Sequence, residues 1–269
     1  MTNVPYAHYS HMRNTNPIHF NAQMNAWEIY KYEDIQHVLL NPGIFSSDVS
    51  VNQTIATMDP PRHTQLRRLV SKAFTMKTVT DLTPKVEGIV QELLSAAATK
   101  SEFNIVSDYA FQLPVRVIAE LLGLPVSDRD QFKAWAISAV NAVVFEYLQQ
   151  PIPAQLAQDV IDLEQYLLNA ANERKITPRN DLISGLVHAE VDNEKLTDQE
   201  IVSTCRLLLV AGFETSTNLI GNTVYLLLQN PQYIERCKKD SEFIDLCIEE
   251  SLRMFMPFQF FAQIGRAHV

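Results

Sequence analysis

Glycine is scarce in this chain, with 7 residues in 269. Few positions can therefore adopt positive φ at no cost, which disfavours many tight hairpins and favours a helical protein. Cysteine is scarcer. Cys205, Cys237 and Cys247 fall inside helical patterns with no paired spacing. That argues against a disulfide framework and reads as reduced thiols in a cytoplasmic protein. Positive charge is also short: 22 Lys and Arg stand against 31 Asp and Glu, a net charge of −9. Nucleic-acid binding needs a basic footprint, so that class is excluded. The longest apolar run, Leu207–Ala211 with its flanks, is too short to span a bilayer, and no charged start followed by an apolar run marks a secretory leader. Repeats and low-complexity tracts are absent.

What remains is ordinary for a soluble globular protein, with 46% hydrophobic and 20% charged residues. At 269 residues the chain can bury a substantial core as one large domain or two small ones. Residues 1–24 are polar and loop-like, except that Ile18–Phe20 and Ala26–Tyr32 read as short strands. Tyr32–Leu40 reads as a helix closed by Asn41-Pro42-Gly43, and 44–58 as a loop. Beyond Pro60 the pattern is helical, over 60–74, 78–99, 104–122, 127–149, 154–174, 179–190, 197–229, 231–237 and 241–254. Thr197-Asp198-Gln199-Glu200 fits a capping box at the start of the longest helix, and Asn230-Pro231 ends it. The fold class is mainly α with a small β-sheet.

Three segments carry candidate chemistry. The first is Ala211-Gly212-Phe213-Glu214-Thr215-Ser216-Thr217, inside the apolar helix 197–229. A carboxylate buried there is costly unless it is paired or shares a proton, and the β-branch of Thr is crowded in a helix. Thr215 follows Ala211 by four residues, so its hydroxyl can bond back to that carbonyl and bend or open the helix. The small Ala211 and Gly212 leave room for a flat cofactor. The alternative is a back-bonding Thr with Glu214 in a structural ion pair.

The second segment is Asp59-Pro60-Pro61-Arg62-His63, continuing to Arg67 and Arg68. Asp59 suits an N-cap and Pro60 the first helical position. His63 and Arg67, four apart on one face, could clamp a carboxylate or phosphate, or could be an exposed pair on an amphipathic helix. Arg62, Arg68, Lys72 and Lys77 form a basic cluster that is either a solvated face or a docking patch. The third segment is Glu249-Glu250-Ser251-Leu252-Arg253, with Glu250 and Arg253 at i, i+3 spacing.

In this order and at these separations the three segments resemble those of soluble bacterial cytochromes P450, from near the N-terminus to about Ala262. The resemblance implies the cytochrome P450 fold and a heme-thiolate monooxygenase that inserts one oxygen atom of dioxygen into a small organic substrate. It implies heme b (iron protoporphyrin IX) as cofactor, electrons from a ferredoxin or flavodoxin, a cytoplasmic monomer and no membrane partner. His63 and Arg67 would bind the heme propionates. Ala211 and Gly212 would border the distal heme face, where Glu214 and Thr215 deliver protons. Glu250 and Arg253 would form a buried structural pair, completed in the family by a later Arg. Met256–Phe261 would be a strand lining the substrate pocket. Where the family often has an Arg reaching a propionate, this chain has Gln263, and no role is carried over. Substrate choice would rest on 44–58, 137–160 and 254–261.

The family's axial thiolate sits in a Phe-x-x-Gly-x-x-x-Cys-x-Gly loop, and none of the three cysteines has such glycines around it. The chain is therefore expected to be an incomplete P450 domain, residues 1–263, without a metal ligand and inactive alone. Ile264–Val269 match the conceptual translation of a common sequencing-adapter string and are expected to be a non-native tail. Two other functions fit less well. A P450-fold peroxygenase usually replaces the acid–alcohol pair, and an all-α cofactor-free binding protein would make the three segments a coincidence.

Overall fold

The computed structural model describes residues 5–48, 54–147 and 150–265, which are mainly helical with short antiparallel strand pairs. The chain divides into a smaller unit, residues 1–64 with 260–269, and a larger one, residues 65–259.

The smaller unit opens with α1 (Tyr6–Thr15), a helix the sequence reading assigned to loop. Its polar composition hides it, since Met12 alone is buried. Aromatic contacts supply what propensity does not: Tyr9 and His8 both pack on Tyr30, with ring centroids 6.0 and 5.9 Å away. β1 (Ile18–Asn21) and β2 (Ala26–Ile29) form a hairpin in register from Ile18 opposite Ile29 to Asn21 opposite Ala26. Asn25 takes a positive φ of 48° in its turn. α2 (Tyr32–Leu40) has the expected bounds.

The expected loop 44–58 contains β3 (Phe45–Ser46) and a 3-10 turn, Ile55–Thr57, while 49–53 lie outside the described residues. β3 pairs with β6 (Ile264–Gly265). So two residues of the expected non-native tail are in a strand, and 266–269 lie outside the described residues. The Asp59 carboxylate accepts from the Ser46 hydroxyl (2.5 Å) and the Ser47 N–H (2.8 Å), fixing β3. Met256–Phe261 form no strand, because the described residues offer them no partner ladder.

α3 (Arg62–Ala73) starts two residues later than expected, after the Pro60–Pro61 pair. The larger unit continues with α4 (Met76–Ala98), where the Thr75 hydroxyl accepts from the Thr78 N–H. The expected helix 104–122 is two elements. A π-helical turn, Ile105–Ala110, is capped by Asn104, and α5 (Gln112–Leu122) follows. α6 (Arg129–Tyr147), α7 (Ala154–Ile176) and α8 (Leu182–His188) come next. Residues 148 and 149, within the expected 127–149 helix and the substrate-choosing span 137–160, lie outside the described residues.

A hairpin that sequence reading missed, β4 (Glu190–Val191) and β5 (Glu194–Lys195), turns at Asp192-Asn193 with φ 54° and 63°. Two such residues between short strands are a type I′ signal, and they lie in the gap between the expected helices 179–190 and 197–229. α9 (Asp198–Gln229), α10 (Pro231–Cys237) and α11 (Glu242–Met254) complete the unit. The capping box forms as expected: Thr197 accepts from the Glu200 N–H and Glu200 from the Thr197 N–H.

The N-terminal half of α9 is the core of this unit. Ile201, Val202, Cys205, Leu209 and Phe213 are buried, and the helix packs on α5, α6, α7 and α8. Beside it lies a charged network. Arg174 is 2% exposed and donates to Asp181 (3.1 Å), Glu173 (2.9 Å) and the Gly123 carbonyl (2.7 Å). Gly123 ends α5 at φ 71°, and a Cβ there would fall 2.2 Å from an Asp181 carboxylate oxygen. Only glycine meets both demands.

Candidate functional site

The acid–alcohol motif sits midway along α9. The Thr215 hydroxyl donates to the Ala211 carbonyl at 2.5 Å, the back-bond its spacing predicts. Ala211, Glu214 and Thr215 share one face at i, i+3 and i+4. Phe213 and Thr217 lie on the opposite, buried face. Glu214 and Ala211 are exposed, so the expectation of a carboxylate buried in an apolar helix is corrected. The reason is rotational: Leu209, Phe213 and Thr217 take the core side and turn Glu214 outward.

Gly212 faces α5. A Cβ there would lie 3.1 Å from Ile118 Cδ1, so its smallness lets α9 approach α5. Ala211 is what stands on the open face. Its methyl group is small, and the back-bond keeps the Thr215 hydroxyl close to the helix. The chemistry this face offers is a small apolar platform bordered by a hydroxyl and a solvent-accessible carboxylate.

His63 and Arg67 are one turn apart on α3. His63 is half-buried and its N–H donates to the Asp59 carbonyl at 3.0 Å. Arg67 is exposed, and among the described residues its guanidinium makes no hydrogen bond or ion pair. An unengaged guanidinium one turn from an imidazole suits a ligand carboxylate. The basic cluster around them is partly consumed. Arg68 pairs with Asp192 at 3.0 Å and Lys72 donates to the Glu190 carbonyl at 2.7 Å, both on the β4–β5 hairpin.

Glu250 and Arg253 form a bidentate pair on α11, at 2.7 and 2.6 Å, as their spacing predicts. The side chains are 52% and 69% exposed, so the expected burial is wrong. The guanidinium of Arg253 holds the Glu250 carboxyl below its usual range.

Cys205 is buried in α9, and burial pushes its thiol up to about 12, with Asp181 adding to the rise. It is an inert core thiol rather than a metal ligand. Cys237 and Cys247 have no paired spacing in the sequence, yet α10 and α11 bring their sulfurs to 3.8 Å. Ten residues of separation across a helix turn gave no sequence signal for this. Among the described residues no His, Cys, Asp and Glu group could hold a metal ion.

The sequence profile of the cytochrome P450 family matches residues 20–262, spanning the α3, α9 and α11 segments together. The chain belongs to the cytochrome P450 family. Cytochrome P450 109 of Bacillus spizizenii is 37% identical over 267 residues, covering 97% of this chain and 65% of the relative. The erythromycin C-12 hydroxylase of Saccharopolyspora erythraea is 36% identical, covering 92% of this chain and 64% of that enzyme. Among solved structures, CYP109E1 of Bacillus megaterium in complex with testosterone aligns at TM-score 0.86 and 36% identity. That alignment covers 97% of this chain and 69% of the solved one. This P450 chain thus spans about 65% of the length of its first curated relative. Heme b is the cofactor of the family. No helix among the described residues is long and apolar enough to cross a membrane.

Proposed function

We propose that this chain supplies the distal wall and propionate clamp of a heme-thiolate monooxygenase, which inserts one oxygen atom of dioxygen into a small organic substrate. The observation that carries this reading is the outward face of α9, where Thr215 is tied to the Ala211 carbonyl beside an exposed Glu214, within a chain of the P450 family. Heme, when bound, supplies dioxygen activation and electron storage. His63 and Arg67 would donate to its propionates. Ala211 would admit its ring, and Gly212 would hold α9 close to α5.

The proton work falls to two side chains. Glu214, in contact with solvent, exchanges protons with bulk water. Thr215 Oγ1 releases the Ala211 carbonyl, donates its proton toward the substrate side and is reprotonated through Glu214. The axial thiolate is not drawn from this chain, since Cys205 is a buried thiol and Cys237 and Cys247 face each other.

Electrons would come from a ferredoxin or flavodoxin. With Arg68 and Lys72 engaged by the β4–β5 hairpin, Lys77 and the rim of α3 are the parts of the basic cluster left for docking. The enzyme would act as a cytoplasmic monomer. The testosterone-bound relative makes that steroid the first substrate to try.

The deciding experiment is turnover under ¹⁸O-labelled dioxygen by an enzyme carrying this chain at the length of its relatives, supplied with heme, a ferredoxin or flavodoxin and its reductase. One labelled oxygen atom per product molecule is expected. Product formed only from added peroxide would make the enzyme a peroxygenase and sink the reading. Failure to take up heme at all would favour a cofactor-free binding protein.

A further inference from the structure

Cys237 is the last residue of α10 and Cys247 lies in the middle of α11, and their sulfurs are 3.8 Å apart. Both residues are half-buried, so small reagents reach them, unlike Cys205. A disulfide needs the sulfurs at about 2.05 Å. Closing the remaining gap is within reach of side-chain rotation, because Cys237 ends its helix where the backbone turns through Lys238–Asp240. Arg236, Lys238 and Lys239 flank Cys237 in sequence, and the Arg236 guanidinium is held 3.8 Å over the ring of Phe243, at the start of α11.

We propose that Cys237 and Cys247 are a thiol pair that closes into a reversible disulfide, joining α10 to α11, when the protein meets a peroxide. The Cys237 thiolate attacks one oxygen of hydrogen peroxide, forming the sulfenic acid and releasing hydroxide. The Cys247 sulfur then attacks the sulfenic sulfur, forming the S–S bond, while its proton and the departing hydroxyl leave as water. Two thiols and one peroxide give one disulfide and two waters. Two electrons pass from sulfur to oxygen, and a small thiol reverses the change. The order of attack follows from the pair's own contacts. Burial, and the contact with the Cys237 sulfur, hold the Cys247 thiol above its ordinary value, so the first attack is assigned to Cys237 at the helix end. The bond would brace α11 three residues before Glu250.

The test is peroxide treatment of the folded chain, followed by thiol counting under denaturing conditions and peptide mapping. The count is expected to fall from three to one. A single linked species, lighter by two hydrogens, should join the Cys237 and Cys247 peptides, and dithiothreitol should restore all three thiols. Linkage should form faster in buffer than in concentrated urea by on the order of tenfold or more, because the fold sets the local concentration. In Cys247→Ser, the sulfenic acid should persist at Cys237 and be trapped by dimedone. Stable sulfenic or sulfinic acid in the unaltered chain without a link would overturn the proposal. So would links only between molecules, or equal rates in buffer and urea.

Discussion

The hydroxyl of Thr217 donates to the carbonyl of Ala110, 107 residues earlier, at 3.1 Å, and to the Phe213 carbonyl of its own helix at 2.8 Å. Among the described residues Thr215, two residues before, bonds only to Ala211. One threonine thus ties α9 to the π-helical turn before α5, while its neighbour stands on the open face. Replacing Thr217 by Val keeps the shape and removes the donor, leaving the Ala110 carbonyl short of a partner in the core. The expected loss is about 1–2 kcal/mol of stability, read from urea unfolding. Thr217→Ser should recover most of it. An unchanged midpoint for Thr217→Val would show that the bond contributes nothing net.

Arg174 and Asp181 make a second such link, at 2% and 3% side-chain exposure. Arg174→Met would strand a buried carboxylate, and breaking a buried pair in this way costs about 3–5 kcal/mol. Gly123→Ala should also be severe, since the added Cβ would meet Asp181 at 2.2 Å. Changing Arg174 and Asp181 together to Met and Leu should lose less than Arg174→Met alone. Additive losses across that cycle would deny the coupling.

These two links mark the limit of what the sequence discloses. Periodicity and punctuation located α2, α9 and α10 to within a residue or so, because Pro42, the Thr197–Glu200 box and Pro231 each state a boundary chemically. The motif residues followed from spacing alone: the Thr215 back-bond and the Glu250–Arg253 pair are local contacts. Burial was not legible. Glu214 and Arg253 look outward because of which helix faces the core claims, and that depends on partners far away in sequence. α1 was missed for the same reason, being held by Tyr30 rather than by its own composition. The Arg174–Gly123 contact and the Cys237–Cys247 approach likewise exist only once separate elements have packed.

Tyr166 donates to Asp128 at 2.6 Å, and the pair gives a pH signature. Hydrogen bonds from Tyr166 and Ser127 hold the Asp128 carboxyl below its usual range. A depressed carboxyl pKa contributes stability above the unfolded value of 3.8 that is lost as pH falls through the folded one. Burial, then the bond to Asp128, raises the Tyr166 phenol above 10.0. That contribution is complete below 10.0 and is lost as pH rises through the folded value. Tyr166→Phe should therefore lower the melting temperature near neutrality and flatten its dependence on pH at both the acid and alkaline ends. A variant whose profile runs parallel to that of the parent protein at every pH would refute the linkage.

The functional reading stands or falls on Thr215. Thr215→Ala removes a donor placed on the open face of α9 while leaving His63, Arg67 and the Ala211 platform untouched, so heme uptake should be unchanged. Losing one donor aimed at charge that develops during reaction costs on the order of 10²–10³ in the step it serves. Electron consumption does not depend on that donor and should continue, with peroxide released in place of product. Glu214→Gln should behave differently, slowing overall turnover with less peroxide, because it limits the supply of protons rather than their final delivery. Thr215→Ser retains the hydroxyl and should stay close to the parent enzyme. The measurement is the ratio of product to reduced cofactor consumed, with peroxide titrated in parallel, in an enzyme carrying this chain at the length of its relatives. If Thr215→Ala keeps the parent ratio on a good substrate, the hydroxyl serves only to bend α9, and proton delivery must be sought elsewhere on that face.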